Sequence, residues 1–365
     1  MKIIKNMSSA RTIKHVLAHQ AAKYFLRAIL VEGNLKNSSQ RFRSLFIGNS
    51  QFVKYLLKRM YQGQPDILKR WRVWIPSIKK LVIHNSAAAD LCVAVLPRKL
   101  EKTLKGHYTY KGTELVQQVI PTTGEWEDIR KKFSSKKRRI ANHFEEKFGL
   151  GYRISTDDKD FRFFYTHMFL PLLTKRYGDL AEIESLEEMR EFFQKGFLLF
   201  VTKDGQDLAG NLCLVEDNVL MLRRAGVLDG DESYVEAGAQ TALYYFGLKY
   251  ANEQGLHAAD AMMSASFLND GVYVTKKEWG AVVSPSDDFN TWVYFFNLGS
   301  ADKLAQFYDQ NPFIAQTDAG LKGLLGAPTD ASSTPEALEP LLRQYRSEGL
   351  TSFIVHTPVG IMEIS

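Results

Sequence analysis

The stretch from Val235 to Gly280 restricts the fold of this chain more than any other. A helix-forming run over residues 235–254 follows a strand-like run at 219–224, and Gly255 stops it. Residues 256–263 then read as a second buried strand. Strand, helix and returning strand form a parallel β-α-β unit. The start of such a helix presents free N–H groups and a positive dipole end, which suits a phosphorylated ligand.

The approach to this unit is equally regular. Runs at 197–202 and 208–215 flank Asp204-Gly205, a two-residue hairpin signal, and Asp217-Asn218 turns the chain again into 219–224. Three antiparallel strands therefore precede the helix. Upstream, 161–177 and 185–195 read as helices. Downstream, 291–296 reads as a strand, 302–313 as a helix, 320–334 as a Gly/Ala/Ser/Thr-rich loop, 335–346 as a helix and 351–356 as a closing strand.

The first half has another character. Residues 1–150 carry 30 Lys/Arg against 10 Asp/Glu, whereas the rest carries 17 against 31. This asymmetry implies either a basic face for phosphates, RNA or an anionic membrane, or opposite charges meeting across the two halves. Residues 9–31 read as an amphipathic helix with Val16, Ala21, Tyr24, Phe25, Ala28 and Ile29 on one side. A second helix follows Asn49-Ser50. Strands are expected around 71–75, 80–84, 91–95, 108–110 and 114–120, then one charged helix over 126–148. That helix holds six cations in the nine positions 131–139, among them Lys136, Lys137, Arg138 and Arg139. They suit a polyanion, or a solvated helix face.

A chain of 365 residues with 45% hydrophobic content accommodates two ordinary domains. No apolar run reaches the roughly 20 residues of a membrane-spanning helix, and the start lacks a secretory pattern, so a cytoplasmic chain is expected. Cys92 and Cys213 lie far apart in strand-like runs and read as buried thiols. Triad, metalloprotease, Walker and dinucleotide motifs are all missing, and no metal is expected.

Three antiparallel strands, a helix and a parallel return are similar to the donor-binding core of the GNAT acyltransferase superfamily. Lys276-Lys277-Glu278-Trp279-Gly280, preceded by Gly271-Val272-Tyr273, resembles the signature of its FemAB-like branch. Thr275 stands where that signature has an aromatic residue. The resemblance implies an α/β (α+β) fold, a GNAT-like mixed sheet flanked by helices, with two fused GNAT-like lobes and an extra helical N-terminus. The chain then divides into a basic, degenerate lobe at 1–124, a catalytic lobe at 125–300 and an extension at 301–365.

The same resemblance implies an N-acyltransferase in which an amine acceptor, a small molecule or peptide, attacks an activated acyl group. Acyl-coenzyme A or an acyl carrier protein is the first expectation for the donor, aminoacyl-tRNA the second. The rival class is a non-catalytic module that grips an anionic polymer, RNA or a membrane surface. For catalysis the residues are Asp260 as base or turn cap, Tyr273 as proton donor or packing residue, and Lys276 at a phosphate or oxyanion or as an edge-strand charge. Donor contacts are expected from Arg223, Arg224, Gly226, Gly238, Thr241 and Ser264. The acidic loop with Asp229, Asp231 and Glu232 departs from the GNAT phosphate-loop consensus and would repel a pyrophosphate unless turned away. Tyr165, His167 and Arg176 are the acceptor candidates; at spacing two, Tyr165 and His167 cannot share a helix face.

Overall fold

The structure, a computed structural model, describes residues 25–84, 88–177, 183–286, 289–327 and 334–365. Its elements run β1 (Phe25–Asn34), β2 (Arg41–Ile47), α1 (Gln51–Met60), β3 (Asp66–Trp74), α2 (Ile78–His84), β4 (Leu91–Pro97), β5 (Tyr110–Gly112) and β6 (Leu115–Pro121). The second unit begins with α3 (Trp126–Lys131), α4 (Ser135–Phe144) and β7 (Leu150–Ser155). It continues through a long helix α5 (158–177), α6 (Leu186–Phe193), β8 (Gly196–Lys203), β9 (Gln206–Glu216) and β10 (Val219–Val227). There follow α7 (Glu232–Glu236), α8 (Ala239–Glu253), β11 (Ala258–Ala265), α9 (Gly271–Glu278), β12 (Val282–Pro285) and β13 (Thr291–Asn297). The chain ends with α10 (Ala301–Gln310), β14 (Phe313–Thr317), β15 (Gly320–Gly326), α11 (Pro335–Tyr345), β16 (Leu350–Thr357) and β17 (Gly360–Ile364).

These elements form three mixed sheets flanked by helices. In the second sheet the order is β12-β6-β11-β10-β9-β8-β7. β8, β9 and β10 pair antiparallel, α8 crosses over, and β11 returns parallel to β10. That is the GNAT-like order the sequence implies. In the first sheet, β3-β1-β2-β4-β13-β5, the same pattern recurs: β1 and β2 are antiparallel and β4 returns parallel to β2. The two sheets then trade strands. β6 leaves the first unit and pairs with β11, while β13 leaves the second and pairs with β4. The third sheet, β14-β15-β16-β17, has its own parallel pair joined by α11.

Several local expectations change. Residues 25–31, expected at the end of a helix, form β1: Leu26 and Ala28 are buried while Phe25 and Arg27 are exposed, a period of two; residues 9–24 of that helix lie outside the described residues. Residues 80–84 belong to helix α2 and not to a strand. The charged helix over 126–148 is two helices, because Ser134 caps a new start by accepting from the Lys137 N–H. The helix expected over 235–254 is likewise broken at Gly238, whose φ of 91° separates α7 from α8. Residues 320–326 are strand β15, not loop.

In α5 the middle six residues, Phe164–Phe169, wind as a π-helix. β10 rests directly on this turn at Gly226, where an added Cβ would lie 2.6 Å from the Met168 and Phe169 backbone. At Gly238 the φ is left-handed but the nearest atoms to a Cβ, on Phe144 and Ile140, lie at 3.6 and 3.7 Å. Gly238→Ala therefore costs only backbone strain, about 1 kcal/mol, whereas Gly226→Ala must push two backbones apart and costs about 2–3 kcal/mol. Urea denaturation of the two variants measures that order.

Candidate active site

β10 and β11 pair only from Val219↔Ala258 to Met221↔Asp260. Beyond that point no ladder joins them, and β10 carries an irregularity between Leu222 and Arg224. The two parallel strands thus form a fork with Asp260 at its base. On the β11 side a bulge lies between Asp260 and Met263, and Met262 takes a left-handed φ of 64°. Such a conformation costs about 1 kcal/mol or more in a non-glycine residue.

Asp260 and Lys276 hold that bulge. The Met262 N–H donates to Asp260 Oδ1 at 2.7 Å, and Gln117 Nε2 donates to Asp260 Oδ2. From α9, Lys276 Nζ donates to the Met262 and Met263 carbonyls at 3.0 and 2.8 Å. Both side chains are buried. Burial pulls the Lys276 ammonium from its ordinary 10.5 down to about 8, with Asp260 and Asp270 opposing that fall. Ser264 donates to Gln118 Oε1 at 2.7 Å, and Gln118 Nε2 donates to the Tyr273 carbonyl at 3.1 Å. Tyr273 itself is fully buried and donates its hydroxyl to Ser347 Oγ at 2.9 Å.

Beside the fork lies a cleft of about 400 Å³ at the start of α8. Gln240, Thr241 and Tyr244 of α8 form one wall, Asp270, Gly271, Val272 and Thr275 of the α9 start the other, and Lys137 and Arg176 supply two cations. Gly238, the N-cap, leaves the first N–H groups of α8 without a capping side chain. Arg176 donates to Gln240 Oε1 at 3.3 Å. The Lys137 ammonium lies 3.5 Å from Glu278 and 5.3 Å from the Trp279 ring centroid; burial pulls its pKa down. Trp279 is buried beneath, edge-on to Phe133 at 4.9 Å and parallel to Tyr244 at 6.4 Å. Burial pushes the Tyr244 hydroxyl up to about 12.

The expected site residues fall into separate places. Thr241, Arg176 and Lys137 come together in the cleft. Asp260, Lys276 and Ser264 sit at the fork and bulge. Arg224 binds the Glu184 carboxylate, Arg223 lies 4.0 Å from it and 3.4 Å from the Phe192 ring centroid, and Tyr165 donates to the Glu184 carbonyl at 3.0 Å. His167 faces Asp229 at 3.6 Å on an exposed surface. Asp231 caps α7, and none of Asp229, Asp231 and Glu232 lines the cleft. In the basic run, Arg138 donates to the carbonyls of Lys131 and Phe133 at 2.7 Å each, while Lys136 and Arg139 are exposed. Sequence reasoning missed Gln117, Gln240, Tyr244 and Asp270. Asp270 alone had a readable local signal, an Asn-Asp-Gly turn ahead of α9. Among the described residues no group of three or more His, Cys, Asp or Glu could hold a metal ion, and no helix is long and apolar enough to cross a membrane. Cys92 and Cys213 are buried free thiols, both pushed up by burial.

No family model matches the chain, and no curated protein matches it. Among solved structures it is similar to FemX, at 10% identity and TM-score 0.40 over 76% of this chain and 85% of that one. It is also similar to L-PGS from Bacillus licheniformis, at 11% identity and TM-score 0.36 over 73% and 83%. A GCN5-related N-acetyltransferase from Sphaerobacter thermophilus aligns at 11% identity and TM-score 0.30 over 69% and 71%. At such TM-scores these likenesses add no further argument, and the functional reading rests on this chain's own residues.

The folded Lys276 binds fewer protons than the unfolded one between pH about 8 and 10.5. Stability from this group therefore rises with pH across that window, and below it the burial penalty is fully present. Wild type is expected to gain on Lys276→Met as pH is raised through the window in chemical denaturation. Parallel pH curves for the two proteins would contradict the buried setting of Lys276.

Proposed function

We propose that this chain transfers an acyl group from a small phosphate-bearing thioester donor, of the acyl-coenzyme A type, to an amine. The observation that carries this reading is the cleft at the start of α8, where uncapped N–H groups, Arg176 and Lys137 converge without the acidic loop. Its volume, about 400 Å³, suits a small ligand. The donor phosphates lie on the α8 start and Arg176, and the acyl arm runs toward the β10–β11 fork, where main-chain groups of β10 have no ladder partner in β11. The amine nitrogen attacks the acyl carbon, the C–S bond breaks, and the thiolate leaves. Asp270, the one carboxylate among the lining residues, draws the amine and receives its proton. Asp260 and Lys276 act as positioning residues by fixing the bulge.

An aminoacyl-tRNA donor has less support. The basic run that would dock it is divided: Lys131 pairs with Asp128, Lys137 is buried, and Arg138 is bound to carbonyls. Thr241 is the third residue of α8, so Thr241→Glu complements the helix dipole while placing a negative charge in the cleft. The variant is expected to melt like wild type yet bind coenzyme A species about tenfold or more weakly in calorimetry. Absence of any coenzyme A response in wild type, with saturable binding of aminoacylated tRNA, would replace this reading by the tRNA-dependent one.

A further inference from the structure

The first sheet has a second concave surface, remote in sequence from the cleft. Among the described residues β3 is the edge strand of that sheet and pairs only with β1. Between the β1–β3 ribbon and α1 lies a groove of about 610 Å³. Its floor and walls are apolar, with Ile29, Phe46, Val53 and Leu57, and its rim holds Arg27, Lys54, Arg70 and Arg72. No carboxylate lines it, and none of these four cations has a salt bridge among the described residues. Arg27 stands opposite Arg72 in the β1–β3 register, two like charges side by side on one sheet face. Cross-strand like charges destabilise a sheet, so the arrangement wants an external anion.

The groove's surroundings show which anion. Strand alternation puts Arg70, Arg72 and Trp74 of β3 on one face, with Phe25, Arg27 and Ile29 of β1 beside them, and Leu68 follows at the bulge where Leu30 pairs with Lys69 and Val31 with Ile67. Leu68, Trp74 and Phe25 are 46%, 54% and 38% exposed. Aliphatic and aromatic side chains standing in water between cations fit a surface that offers phosphates and hydrocarbon together. An RNA backbone would satisfy the arginines and leave Leu68 in water. In the sequence, residues 1–24 add Lys2, Lys5, Arg11, Lys14 and Lys23 and no acidic residue to the positive charge of this half.

We infer that the β1–β3 edge and α1 form a docking site for an anionic lipid bilayer, with phosphates on Arg27, Lys54, Arg70 and Arg72 and with Leu68, Trp74 and Phe25 entering the headgroup layer. This site is independent of the acyl-transfer reading, because it uses other residues and another sheet. The full chain is tested by co-sedimentation with phosphatidylcholine vesicles containing roughly one-third phosphatidylserine and with vesicles of phosphatidylcholine alone. Wild type is expected to sediment with the anionic vesicles only. Arg70→Glu/Arg72→Glu is expected to lose about tenfold or more in partitioning. Leu68→Asn/Trp74→Ser keeps every charge and is expected to lose severalfold; all four side chains are largely exposed, so equal melting temperatures confirm intact folds. The inference is overturned if wild type ignores anionic vesicles or if charge reversal leaves binding intact. It is also overturned if the apolar variant binds vesicles like wild type while bulk tRNA competes the protein off, which would make the surface a nucleic-acid site.

Discussion

The structure depends first on an exchange of strands. β6 is the last strand of the first unit in sequence, yet it completes the second sheet between β11 and β12; β13, the last strand of the second unit, completes the first sheet between β4 and β5. Each sheet takes the strand beside its parallel return, β6 next to β11 and β13 next to β4, from the other unit. β13 is buried on both faces, with Trp292, Tyr294 and Phe296 in one apolar cluster and Val293 and Phe295 in another. Removing it would uncover both, at a cost of several kcal/mol for the aromatic side chains alone. The lobes therefore fold as one body. The relation of each to the other is fixed by main-chain hydrogen bonds, not only by side-chain packing across an interface.

That exchange also builds the candidate site. β6 brings Gln117 and Gln118 alongside β11, where Gln117 takes Asp260 and Gln118 takes Ser264. A bulge with a left-handed methionine is costly and survives only where its neighbours over-determine it. Here a carboxylate holds the Met262 N–H, an ammonium from α9 holds two carbonyls, and a glutamine from the exchanged strand holds the carboxylate. The same helix α9 carries Gly271, Val272 and Thr275 into the cleft wall on another side. One short helix thus joins the fork to the cleft, which explains why the Lys-x-x-Trp-Gly pattern is compact. Lys276 faces the bulge, Trp279 packs beneath Tyr244 and Lys137, and Gly280 takes the left-handed turn that ends the helix.

Local signals made the second sheet legible and long-range ones hid the first. The hairpins at Asp204-Gly205 and Asp217-Asn218 carry their own turn chemistry, with positive φ at all four residues, so β8, β9 and β10 were readable in order. The exchange was not, because a strand's hydrophobic alternation says which face is buried and nothing about its neighbour. β15 looked like a loop because it contains Gly320, Gly323 and Gly326. Two of these glycines are demanded by packing: an added Cβ would lie 2.6 Å from the Phe353 ring at Gly323 and 1.8 Å from the Ala305 carbonyl oxygen at Gly326. In the site, Asp260, Lys276, Thr241 and Arg176 were reachable from spacing and resemblance. Gln117 was not, since its partner lies 143 residues away.

The charge asymmetry of the chain has a structural sense once the pairs are traced. Some of the excess is internal: Arg41 and Arg43 both meet Glu32 within the first sheet, and Lys137 meets Glu278 of the second half. None of them reaches the stretch of the outer ribbon where Arg27, Arg70 and Arg72 are exposed and lack carboxylate partners among the described residues. Leaving like charges adjacent on an edge strand discourages edge-to-edge pairing between copies, which is a function in itself. That role needs cations at the edge, but it gives no reason for apolar side chains to stand exposed between them or for an apolar groove behind. Edge protection and anion docking therefore separate at Leu68 and Trp74: the first is indifferent to these two residues and the second requires them.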